Sequence, residues 1–116
     1  MGRIISIHEY ELKANTIESD FERSIIEAKK QGILQLPGLV DYYFVKGIRG
    51  FRNKKYAAIW IFEHREAWEN LWGPVDHPRK KKDYPENWKI WEEKILTPYL
   101  ICDPDKIVFT SYEEID

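Results

Sequence analysis

The chain has 116 residues, room for one hydrophobic core and not two, so 1–116 reads as a single domain. Its 43% apolar and 33% charged composition is that of an ordinary globule, and a net charge of −2 argues against nucleic acid as a partner, because phosphate binding needs a basic face. Cys102 is the single cysteine, which excludes an intramolecular disulfide and a cysteine-based zinc site.

Residues 3–12 alternate β-branched with polar residues and read as a first strand, with Ile5 and Ile7 on one face and Ser6, His8 and Tyr10 on the other. His8, Glu9 and Glu11 interrupt the early apolar run, so no secretory segment is expected, and no stretch approaches the roughly 20 apolar residues of a membrane span. The expected location is the cytoplasm, with no membrane partner. Asn15 and Glu18 have the spacing of a capping box. They open a helix whose buried stripe is Ile17, Phe21, Ile25 and Ala28, and which ends at Gly32.

Pro37-Gly38 marks a turn before a second strand, Leu39 to Val45, and Arg52-Asn53-Lys54 closes a hairpin to a third, Tyr56 to Phe62. The third strand is nearly all apolar, which predicts burial on both faces and therefore something covering the face turned away from the helices. A short helix over residues 65–72 carries Trp68, Leu71 and Trp72 and stops at Gly73-Pro74. Residues 73–84 are loop-like and contain a basic run, Arg79 to Lys82, that reads as a solvated surface. Pro85 opens another helix with Trp88, Trp91, Ile95 and Tyr99 along one side, and Pro98 marks its end. A last strand runs from Lys106 to Tyr112. The order β-α-β-β-α-β predicts an α+β, ferredoxin-like protomer with an antiparallel sheet.

Four segments carry a family likeness: Leu36-Pro37-Gly38, the passage Phe62-Glu63-His64-Arg65-Glu66-Ala67-Trp68, the loop Asp76-His77-Pro78, and Trp88-Lys89-Ile90-Trp91-Glu92. With the element order, they make the chain resemble the dimeric α+β barrel superfamily, which includes antibiotic-biosynthesis monooxygenases, polyketide cyclases and haem-degrading monooxygenases. The resemblance implies a homodimer in which two sheets pack face to face, with a pocket between sheet and helices in each protomer. It also implies an aromatic or polyketide-like substrate and monooxygenase or cyclase chemistry without a dissociable cofactor, haem being the other ligand the superfamily takes.

Histidine is the natural proton-transfer group near neutral pH, and there are three. The resemblance singles out His77 as the loop histidine of cyclases and haem-degrading members, with Asp76 beside it. His8 stands about where the haem-degrading members carry an asparagine, and Trp72 lies one position from their tryptophan. His64 ends the third strand, where it either faces substrate or caps the helix. Trp72 and Trp88 flank the irregular loop and are candidate pocket walls, whereas Trp91 belongs to a regular stripe and reads as core. Tyr42, Tyr84 and Tyr99 are possible substrate-positioning tyrosines, and spacing does not choose among them. The rival readings are a dimer that binds an apolar ligand or haem without turning it over, and a dimer whose aromatic residues only pack.

Overall fold

Alternation along the strands decides which side chains meet the helices. The structure is a computed structural model describing residues 2–115. Its strands are β1 (Ile4–Tyr10), β2 (Leu39–Lys46), β3 (Tyr56–Phe62) and β4 (Val108–Glu113), in the spatial order β2-β3-β1-β4 with every neighbouring pair antiparallel. Helices α1 (Glu18–Lys30), α2 (Arg65–Trp72) and α3 (Glu86–Ile90) lie on one side, and α3 runs on as a π-helical segment, Trp91–Leu96. This is the expected ferredoxin-like α+β protomer.

On the helix-facing side of β1, Ile4, Ser6, His8 and Tyr10 alternate as predicted. In β3 the same face carries Tyr56, Ala58, Trp60 and Phe62, all buried. Phe21, Ile25 and Ala28 of α1 are buried against this surface, Phe21 edge-on to Tyr56 at 5.2 Å. Each large apolar side chain so placed contributes about 1.5–3 kcal/mol relative to exposure.

The other face of the sheet is aliphatic: Ile5 and Ile7 from β1, Ala57, Ile59 and Ile61 from β3. These five are half-buried, while Tyr43, Val45, Val108 and Tyr112 on the flanking strands are exposed. Within one chain, β3 is therefore fully buried on one face only.

Two expectations need correction. The residue flanking the start of α1 is Ile17, with extended backbone and no side-chain cap bond, so Asn15 and Glu18 do not form a capping box. Thr16 instead donates its N–H to the Lys13 carbonyl in a turn, which leaves Ile17 as the first acceptor of the helix and 63% exposed. Glu18 and Asp20 in the first turn face the positive end of the helix dipole. The last helix buries Trp88, Trp91, Leu96 and Leu100, and not the stripe ending in Ile95 and Tyr99. The cause is the π-helical segment: Thr97 donates its N–H to the Glu92 carbonyl, five residues back, at 2.9 Å. That extra residue per turn rotates the later side chains by one position.

Candidate active site

Beyond the filled core, the helix-facing side of the sheet opens toward β4 into a cavity of about 450 Å³. Its floor is strand: Ser6 and His8 from β1, Trp60 and Phe62 from β3, Phe109 and Ser111 from β4. Register explains the grouping, since Ser6 lies opposite both Trp60 and Ser111, and His8 opposite both Ala58 and Phe109. The Ser6 and Ser111 hydroxyls are hydrogen-bonded at 2.7 Å, and Ala58 is the small neighbour that leaves room beside the imidazole.

The walls are aromatic. Trp68 and Trp72 come from α2, Trp88 from α3 and Tyr84 from the turn before it. Trp72 meets Trp88 at 5.1 Å and Tyr84 at 5.4 Å, while Trp88 meets Trp60 at 5.0 Å, each edge-on. Such edge contacts fix ring orientation and so hold the cavity in shape.

The mouth is made by the loop after α2. Gly73 ends that helix with φ +89, and a side chain there would meet the backbone of His77 and Arg79 at 2.7 Å. Only glycine allows the loop to fold back so tightly. Arg79 donates its N–H to the Trp72 carbonyl at 2.8 Å and His77 to that of Pro74 at 3.0 Å, which sets Pro74, Val75 and Pro78 around the opening.

His8 is the nitrogen base of this cavity. Its ring lies 6.0 Å from Trp60, 5.8 Å from Trp88 and 5.7 Å from Phe109. Its Nδ1 is buried with no hydrogen-bond partner, and burial lowers its pKa to about 4, so it is neutral near pH 7. Glu92, from the π-helical segment, also lines the cavity and is 4% exposed. Burial raises its pKa to about 7 against the opposing pull of Lys81, and its Oε1 has no hydrogen-bond partner.

The structure thus brings His8, Trp72, Tyr84 and Trp88 together, which singles out Tyr84 among the three candidate tyrosines, and places the other sequence candidates elsewhere. His77 is exposed on the mouth loop, outside the lining. His64 caps α2, its Nδ1 accepting the Ala67 N–H at 3.1 Å, with Nε2 3.4 Å from Glu63. Tyr42 packs on Trp60 at 5.8 Å from the β2 side and borders a separate depression with Leu34 and Leu36. Tyr99 packs on Phe21 at 5.5 Å in the closed part of the core. Trp91, with no exposed surface, belongs to that core as expected.

Sequence reasoning missed Trp60, the Ser6–Ser111 pair and Glu92. The first was legible from its phase with Tyr56 and Phe62 on β3. The last stands four residues from both Trp88 and Leu96, an acid inside an apolar helical stripe. Among the described residues no group of three or more His, Cys, Asp or Glu side chains is arranged to hold a metal, and no helix is long and apolar enough to cross a membrane.

No protein-family model and no curated protein sequence matches the chain. Solved structures do. A DABB-family protein with a ferredoxin-like fold from Mesorhizobium loti superposes with TM-score 0.64 at 15% identity, covering 100% of both chains. A dimeric ferredoxin-like protein of unknown function from Thermobifida fusca gives 0.62 at 15% identity over 97% of this chain and 92% of that one. SnoaB, a cofactor-independent oxygenase from Streptomyces nogalater, gives 0.60 at 9% identity over 100% and 96%. Identities this low establish shared architecture rather than shared chemistry. The chain therefore has the ferredoxin-like fold of the DABB-family and oxygenase structures, the architecture that its sequence resemblance implied.

Proposed function

We propose that the cavity binds a flat aromatic or polyketide-like molecule and acts on it by proton-transfer chemistry of the monooxygenase or cyclase type, without a dissociable cofactor. The observation that carries this reading is His8, a neutral imidazole on the floor of an aromatic cavity whose buried Nδ1 has no hydrogen-bond partner. Such a base accepts a proton from an acidic O–H or C–H of a ligand held against it. Trp72 and Trp88 hold the ligand rings, and the Ser6 and Ser111 hydroxyls offer it hydrogen bonds. His77, on the mouth loop, is the alternative proton-transfer group. The fold shared with SnoaB, a cofactor-independent oxygenase, makes this reaction class the first to test.

We also propose that the protein works in the cytoplasm as a homodimer. The aliphatic outer face of the sheet, flanked by exposed Tyr43, Val45, Val108 and Tyr112, suits packing against a second copy of itself. The dimeric ferredoxin-like neighbour from Thermobifida fusca supports this.

Anthrone, a tricyclic ketone with an acidic methylene, is a suitable probe. Wild-type protein is expected to quench its own tryptophan fluorescence on binding anthrone and to speed its oxidation in air. His8→Ala should slow that oxidation about 100-fold while binding persists, and His77→Ala should leave it within about threefold of wild type. Quenching without any turnover would make the protein a binding module. A haem mass on the freshly purified dimer in a native mass spectrum would replace the aromatic ligand with haem.

A further inference from the structure

Glu92 is the feature that the reading above does not use. It projects from the π-helical segment, a helix irregularity frequent at functional sites, into the same cavity as His8. Its backbone carbonyl is doubly occupied, accepting the Thr97 N–H at 2.9 Å and the Thr97 hydroxyl at 2.8 Å, so the residue is fixed while its Oε1 stays without a partner. A carboxyl buried in a lining shared with Trp88 and Leu96 costs stability, and an apolar residue there would pack at lower cost, so its presence points to a use.

We propose that Glu92 is the proton donor of the cavity, working with His8 as acceptor on a ligand that carries both an acidic C–H and a carbonyl oxygen. This rests on the reading of the cavity as a proton-transfer site. In the step, the C–H bond breaks and its proton passes to His8. The bonding pair enters the ring π system, and the carbonyl π pair takes the Glu92 proton. The product is the enol, beside an imidazolium and a carboxylate that exchange protons with water through the mouth.

The two environments set the protonation states from which these roles start: burial lowers His8 to about 4, which leaves it neutral, and raises Glu92 to about 7, which leaves it protonated below neutral pH. Opposed shifts in one cavity are the signature of an acid and a base with separate tasks. The titratable groups around Glu92 are Lys81 and Tyr84 from the mouth segment, Asp103 and Asp105 from the turn before β4, and Tyr10 and His8 from β1. Lys81 opposes the upward shift; Asp103 and Asp105 add to it.

The test is hydrogen–deuterium exchange at the anthrone methylene under argon, which isolates proton transfer from oxidation. Wild-type protein should speed exchange between limbs near pH 4 and pH 7. Glu92→Gln should lose the upper limb and about 100-fold in rate, and Glu93→Gln, an exposed neighbour, should lose neither. The carboxyl carbon resonance of Glu92 in the wild-type protein should titrate near pH 7 and move when anthrone binds, a readout that needs no variant. Exchange by Glu92→Gln at the wild-type rate, or a Glu92 resonance unmoved by anthrone that quenches the tryptophans, overturns the role of Glu92 and leaves the cavity standing. Absence of quenching overturns the cavity reading and Glu92 with it. Normal exchange without oxidation in air contradicts only the oxygenase chemistry.

Discussion

The two faces of the sheet are built from the same four strands and look nothing alike. The face toward the helices alternates very large with small or polar side chains: Trp60 beside Ser6, His8 beside Ala58, Phe109 next to Ser111. The outer face is a near-uniform aliphatic surface of Ile5, Ile7, Ala57, Ile59 and Ile61. Side chains of unequal size cannot tile a plane, so the inner face closes where α1 and the π-helical segment fill it and opens where they do not. The aliphatic centre of the outer face carries no bulky ring, which suits it to packing against another apolar surface. One sheet therefore offers a cavity on one side and a broad apolar surface on the other.

The largest effect is expected at the junction of core and cavity. Trp60 contacts His8, Tyr42, Phe44, Trp88 and Trp91. Trp60→Ala should cost about 3–5 kcal/mol of stability in denaturant titrations. A loss below 1 kcal/mol would mean that the inner face is not a packed core. On the outer face, Ile59→Asp should weaken the proposed dimer at least about 100-fold in sedimentation velocity, because it would bury an unpaired charge between copies at a cost of about 3 kcal/mol. It should leave anthrone quenching within about twofold. Coupled loss of both would break the separation of the faces.

The third prediction is a pH dependence with two opposite slopes. Glu92, raised from 4.5 to about 7, contributes stability that is complete below pH 4.5 and is lost as pH rises through 7. His8, lowered from 6.5 to about 4, contributes stability that is complete above pH 6.5 and is lost as pH falls through 4. Each slope is about 1.4 kcal/mol per pH unit, and between pH 4.5 and 6.5 they cancel. Relative to wild type, His8→Ala should therefore make the protein less stable with rising pH across this window, and Glu92→Gln more stable. Parallel curves for all three proteins would show that neither group is perturbed.

Turnover separates the histidines, and the smallest expected effect is that of His77. His77 lies outside the cavity lining and His8 inside it, so turnover should respond about 100-fold to loss of the second and less than about threefold to loss of the first.

How much of this was legible in the sequence follows from how local each signal is. The strand alternation of residues 4–10, the apolar run of 56–62 and the Gly73-Pro74 stop are nearest-neighbour patterns, and the fold follows from them. Trp72 and Trp88 were legible because they flank an irregular loop. His77 was favoured by resemblance, yet whether a loop side chain turns inward depends on the Gly73 turn and the Arg79–Trp72 hydrogen bond, which a spacing does not reveal. The shift from Ile95 to Leu96 was hidden because a regular 3.6-residue period cannot anticipate the Thr97-to-Glu92 bond. Glu92 sits in a helical segment whose pattern does not by itself mark it as buried, because its burial rests on strands and turns far away in the chain.

The proposal that ligand binding belongs to the inner face is tested most directly by an NMR titration of the isotopically labelled protein with anthrone. Shifts are expected at the indole N–H signals of Trp60, Trp72 and Trp88 and the side-chain Cβ signals of Ser6 and Ser111, with the side-chain methyls of Ile5, Ile59 and Ile61 unmoved. Shifts confined to the outer-face isoleucines, or none at saturating anthrone, would contradict it.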